Sequence, residues 1–175
     1  MGLVVLSLLA PSLRAQEIGN LAVPDKQTEN RIKAAYIYNI MKFVRWPSAP
    51  REAALQVCVF GDNVFGEVLG ELESRQVQGY TIQVRPMSVS TAAESACQVV
   101  YVALKDKAER LHLIESVSGK GVVTISDADG FVEAGGIIGF VRTKGSIRFE
   151  LNMTKARAEG LVLSSQLAAT ALKVR

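Results

Sequence analysis

Histidine occurs once in the 175 residues, as His112; tryptophan occurs once, as Trp46, and cysteine twice, as Cys58 and Cys97. A single imidazole, lying among Leu111, Leu113 and Ile114, cannot supply a His-based metal cluster or a Ser-His-Asp triad and reads as structural. Neither cysteine has a C-x-x-C neighbour, which excludes thiol-exchange chemistry. Charge excess is small as well, +3 overall, and no basic run is interleaved with aromatics, so nucleic acid is excluded as a default partner. A dinucleotide fingerprint G-x-G-x-x-G is missing. The nearest phosphate-loop candidate, Gly61 to Gly66 (G-D-N-V-F-G), continues with Glu67 and Val68 where a P-loop needs Lys and then Ser or Thr. A carboxylate at that place repels phosphate, so the segment reads as a tight turn and no cofactor is expected. Asp127 and Asp129, in S-D-A-D-G, fall short of the about six to eight oxygens that calcium takes. They read as turn and capping residues, and no metal is expected.

What is present is an ordinary globular composition, 49% apolar, of a length suited to one domain. Residues 1–15, M-G-L-V-V-L-S-L-L-A-P-S-L-R-A, form an apolar run too short to span a bilayer, followed by small residues, the order of a signal peptide. No Lys or Arg precedes that run, and Leu13 stands where a small residue suits cleavage after Ala15. Export is expected, with no membrane-spanning segment after cleavage. Residues 16–28 are polar, contain Pro24 and read as a flexible lead-in, leaving 29–175 as the folded domain.

The stretch from Asn30 to Pro47 holds the only Trp and two of the four Tyr residues. Ile32, Ala35, Tyr36, Ile40, Phe43 and Val44 recur at helical spacing, with Thr28 placed to cap the helix and Pro47 to stop it. Beyond it, strands are expected at Leu55–Phe60, Thr81–Arg85, Val99–Ala103 and Val122–Ile125, with helices at Val64–Arg75 and Lys105–Val117 between them. This alternation predicts an α/β fold, a single domain with a mainly parallel, doubly wound, Rossmann-like sheet and flanking helices. Ile137–Arg142 and Ser146–Leu151, around Thr143-Lys144-Gly145, add a C-terminal antiparallel hairpin. Met153 to Val174 reads as a closing helix whose inner face is Ala156, Gly160, Ser164, Ala168 and Ala171.

Cys58 lies within the first strand of that sheet and Cys97 at the head of the third, neighbours in a 2-1-3-4 order. The residues admit two buried, reduced thiols or a disulfide; an exported chain with an even cysteine count favours the bond.

The segments Ile32 to Pro47 (I-K-A-A-Y-I-Y-N-I-M-K-F-V-R-W-P), Leu55 to Gly61 (L-Q-V-C-V-F-G), Ser95 to Val102 (S-A-C-Q-V-V-Y-V) and Gly121 to Asp127 (G-V-V-T-I-S-D) stand in a recognisable order. With Ile147 to Asn152 (I-R-F-E-L-N) and Ala158 to Leu167 they resemble the YfiR-like family over about residues 30 to 172. The resemblance implies a periplasmic regulator without catalysis of its own. Such a protein, often a homodimer, represses the periplasmic sensor domain of an inner-membrane diguanylate cyclase and so lowers cyclic-di-GMP synthesis. It implies that Cys58 and Cys97 match a family disulfide; the second cysteine pair of some members has no counterpart in Phe131 to Gly139. It also points to Glu150, in F-E-L-N, which strand alternation turns outward, as a partner-binding residue; Tyr38, Lys42 and Arg45 on the opening helix are the next candidates if Glu150 does not bind. The alternative is a periplasmic small-molecule sensor acting with a histidine kinase or transporter, its cleft at the carboxyl ends of the strands near Gly61 and Ser126.

Overall fold

Every residue from Ala54 to Phe60 is buried, so the strand β2 (Ala54–Gly61) needs cover on both faces. It obtains that cover at the middle of a sheet. The computed structural model describes residues 24–48, 50 and 53–175; the expected signal peptide, residues 1–15, lies outside them. In chain order the remaining strands are β1 (Val44–Arg45), β3 (Gln76–Val77), β4 (Tyr80–Met87), β5 (Val99–Ala103), β6 (Val123–Ser126), β7 (Ile138–Thr143), β8 (Ser146–Leu151), β9 (Val162–Leu163) and β10 (Lys173–Val174). Eight of them form one sheet in the order β10-β8-β7-β6-β5-β2-β4-β3. From β4 to β7 all neighbours are parallel, and the expected 2-1-3-4 core is present. The β7–β8 hairpin is antiparallel, turning at Gly145 with φ 76°.

Alternation along the strands sorts the core into two faces. Val57, Val59, Val99, Tyr101, Val123 and Ile125 belong to the face covered by α1 (Lys26–Lys42), through Ile37, Ile40 and Met41. Cys58, Phe60, Val100 and Val102 belong to the other, covered by Leu113 and Ile114 of α2 (Lys107–Ser116) and by Ala92 of the short 3-10 turn Val89–Glu94.

Three expectations for the helices are corrected. The opening helix begins at Lys26, inside the expected lead-in, and is capped by Asp25, whose carboxylate accepts from the Thr28 N–H and hydroxyl. It ends at Lys42, well before Pro47, because Val44 and Arg45 pair with β9. Its buried face is Glu29, Lys33, Ala34, Ile37, Ile40 and Met41, so Ala35 is exposed and two charged residues are inside. The segment expected as a helix from Val64 to Arg75 is a set of turns with a 3-10 piece at Gly70–Ser74, since Gly66 takes φ +58°.

The expected closing helix is broken as well. α3 (Met153–Ala158) stops at Gly160, φ +73°, where Gly160 N–H bonds to Arg157 C=O and Leu161 N–H to Ala156 C=O. These are the two bonds of a Schellman cap, which turns the chain out of the helix. It then forms β9, a second short helix α4 (Ser165–Thr170), and β10, which lies parallel against β8. The small residues expected to form one helical face therefore belong to different elements.

Candidate functional site

Cys58 and Cys97 are joined by a disulfide, with Cα atoms 5.9 Å apart, and both are buried. The bond ties β2 to the segment entering β5 on the α2 side of the sheet. Glu150 of β8 is half-buried and sits on that same side, since its neighbour Phe149 points the other way, edge-on to Tyr36 of α1. The outer edge of β8 is not free: β10 covers it, placing Lys173 in register with Glu150.

On the α1 side the polar residues fall into two groups. In the first, the two buried charges of α1 are matched by partners far along the chain. Arg142 of β7 donates to Glu29 through Nε and Nη2, each at 2.9 Å, a fork geometry that satisfies both carboxylate oxygens. Lys33 pairs with Glu29 one turn earlier and, at 2.6 Å, with Asp127 just after β6. Burial pushes the Glu29 carboxyl up, but its bonds to Arg142 and Lys33 outweigh that and hold it below the ordinary value. Beside this network, the Tyr101 hydroxyl of β5 is buried next to Asp127 without a hydrogen bond of standard geometry among the described residues; burial, then the Asp127 charge, push its ionisation upward.

A crevice of about 410 Å³ opens above this network. It lies between Lys33, the Asp127–Asp129 turn and the part of the hairpin that extends past β6, with Phe140, Val141 and Ile147 as its apolar wall. Neither Gly61 nor Ser126, where a cleft was expected, lines this crevice. The Ser126 hydroxyl is occupied, donating to Val102 C=O and accepting from Ala128 N–H. Gly61 stands so close to Ala103 that a Cβ on it would lie 2.6 Å from the carbonyl oxygen.

The second group gathers Tyr38, Lys42 and Arg75. Lys42 Nζ lies 4.2 Å and Arg75 Cζ 5.0 Å from the Tyr38 ring centroid, within cation–π range. They stand at a groove of about 590 Å³ between α1 and the Gly70–Ser74 turn. Its floor is apolar, with Ala34 and Leu72 buried, and Arg31 and Glu71 complete the rim. Lys42 also lines a neighbouring cavity with Arg45 and Val162, a valine left 58% exposed. Tyr38, Lys42 and Arg45 thus share one surface, on the opposite side of the sheet from Glu150. Sequence reading missed Arg75 because it comes from a separate segment; the four-residue spacing of Tyr38 and Lys42 on a helix was the readable half of the signal.

Among the described residues no group of three or more His, Cys, Asp or Glu is placed to hold a metal ion, and no helix is long and apolar enough to cross a membrane. A family model described as YfiR/HmsC-like matches residues 30–171. Two solved structures are similar in fold. One is a conserved domain protein from Vibrio cholerae O1 biovar eltor, with TM-score 0.55, 14% identity, and 81% of this chain and 60% of that chain covered. The other is an ABC domain in complex with L-Trp from Streptococcus pneumonia, with TM-score 0.56, 11% identity, and 84% and 60% covered. This chain spans about 60% of the length of each.

Proposed function

The chain belongs to the YfiR/HmsC-like family, and from that premise we propose that it is a periplasmic regulatory protein without catalysis of its own. It binds the periplasmic sensor domain of an inner-membrane diguanylate cyclase, as a homodimer, and lowers cyclic-di-GMP synthesis. The observation that carries this reading is the family match over residues 30–171. The Cys58–Cys97 bond supports it, since disulfides persist in oxidising compartments. So do two adjoining cavities on the surface of Tyr38, Lys42 and Arg45, which with Glu150 we assign to partner docking. Deleting the gene in its own bacterium and measuring cyclic-di-GMP by mass spectrometry tests the proposal. A rise reversed by re-expression is expected; an unchanged level overturns it.

A second reading, a small-molecule sensor paired with a histidine kinase or transporter, is favoured by the crevice at Lys33, Asp127 and Phe140. This crevice lies beyond the carboxyl end of β6, the end of the sheet at which open α/β folds take ligands, although the strand order reverses at β2 and β5.

A further inference from the structure

We infer that the groove between α1 and the Gly70–Ser74 turn receives an acidic, partly apolar protein segment, presented by the partner of the regulator reading on which this inference rests. Arg31, Lys42 and Arg75 converge on the groove, and none of them is paired with a carboxylate among the described residues. Six described cations do find such partners, among them Lys105 with Asp62, Arg142 with Glu29 and Arg175 with Glu133, while others such as Lys107 and Lys144 stand alone; what sets Arg31, Lys42 and Arg75 apart is that they converge on one groove. Glu73, which belongs to the same turn, is drawn away, its Oε1 accepting from Val84 N–H on β4 at 2.9 Å. Glu71 is left as the carboxylate on the rim.

Two of these cations share one aromatic ring. Like charges held over the same ring repel, and Lys42 Nζ spends only one long bond, 3.5 Å to Asn39 Oδ1, so an arriving carboxylate both relieves the repulsion and is gripped by charge-assisted hydrogen bonds. Beneath the charges the floor is recessed and apolar, at Ala34, Leu72 and Val68. A membrane surface cannot reach a recessed floor, and a small anion leaves it uncovered. A protruding segment that sets carboxylates against the rim and one or two apolar side chains on the floor satisfies both. The docking class is therefore an acidic loop or helix of a protein.

The test uses the full mature chain and the periplasmic domain of the diguanylate cyclase whose output it lowers, with affinity measured at several salt concentrations. The variant is Lys42→Glu with Arg75→Glu; both side chains are exposed, and its melting temperature is measured beside the parent's to confirm that it is folded. We expect a loss of affinity of at least tenfold and a flatter salt dependence, while Lys144→Glu at the hairpin tip, the same kind of charge change elsewhere, binds as the parent does. Equal binding by the double variant overturns the groove and leaves the regulator standing. Failure of the parent chain to bind the domain overturns the regulator reading itself. Uptake of the parent, and not the variant, by phosphatidylglycerol vesicles with domain binding unchanged overturns the inference in favour of a membrane surface.

Discussion

Lys33 Nζ lies 2.6 Å from Asp127 Oδ2 although 94 positions separate the two residues. The contact joins the first helix to the carboxyl end of β6, and through Glu29 it continues to Arg142 on the hairpin. Glu29 and Lys33 are buried at the centre of this chain while Arg142 and Asp127 reach solvent at its ends, and the two buried charges are stabilising only while each keeps a partner. Lys33→Met is expected to lower stability by about 3 kcal/mol, the lower end for breaking a buried pair, because Glu29 retains Arg142. In a double-mutant cycle with Glu29→Gln, measured by urea unfolding, the pair should lose less than the sum of the singles. Strict additivity would show that the network carries no coupling.

Acid should weaken the fold through the same carboxylate and one other. Glu159 is buried and, despite burial acting against it, is held below the ordinary value by Lys155, the Ser118 hydroxyl and the Gly119 N–H. A carboxyl with a lowered folded pKa adds stability that is complete above its unfolded value and is lost as pH falls through the folded one. Urea midpoints are therefore expected to hold from neutral pH until the ordinary carboxylate value of 4.5 is approached, and to fall below it. Glu159→Gln should start lower at neutral pH and fall less steeply in acid. Parallel curves for the two proteins would remove Glu159 from the account.

The disulfide closes a loop with a sequence separation of 39. The chain-entropy model gives about 4 kcal/mol for a loop of that size, lost on reduction or in the Cys58→Ala, Cys97→Ala double variant. Since the bond joins β2 to the segment entering β5 on the α2 side, apart from the cationic groove on the α1 side and from Glu150 on β8, affinity for the partner should stay within twofold as long as the variant is folded. Mass spectrometry of unreduced protein should show two hydrogens fewer than the reduced form. A reduced protein as stable as the oxidised one would overturn the structural role of the bond.

Gly61 decides how β2 leaves the sheet. At φ +100°, a Cβ added there would stand 2.6 Å from the Ala103 carbonyl oxygen, so a side chain has no room and the obstacle is backbone. Gly61→Ala should destabilise by at least about 1–3 kcal/mol from conformational strain alone. Gly79→Ala, at φ +84° with open space around it, carries the strain without the clash and should lose less. Equal losses, read from thermal unfolding, would show that the close approach to Ala103 is unimportant.

The six longer strands and the 2-1-3-4 order of the core were readable from sequence because apolar β-branched runs alternate with helical ones, and this also placed Cys58 beside Cys97, whereas the two-residue strands β1, β3, β9 and β10 were not. The ends of the helices were not. Ala156, Gly160, Ser164, Ala168 and Ala171 repeat at three- and four-residue spacing, yet Gly160 adopts the left-handed cap that no spacing reveals. On α1, Glu29 and Lys33 have the four-residue spacing of a solvated ion pair, and their burial follows only from Asp127 and Arg142, more than ninety positions away. Tertiary partners of that kind leave no local trace.

Glu150 and Lys42 belong to opposite sides of the sheet, which makes the docking proposal separable into two parts. Glu150 is half-buried on β8, and charge reversal there sets a lysine in register with Lys173 of β10. Like charges side by side on adjacent strands destabilise by a fraction of a kcal/mol, so Glu150→Lys alone confounds repulsion within the fold with repulsion of a partner. Glu150→Gln removes the charge without adding one and should leave the melting temperature unchanged. If Glu150 contacts the partner, both substitutions weaken binding to the cyclase domain, the lysine variant more. Combined with Lys42→Glu, the losses should add, because residues that share no partner act independently. Undiminished binding by a folded Glu150→Lys protein would confine docking to the face of Tyr38, Lys42 and Arg45.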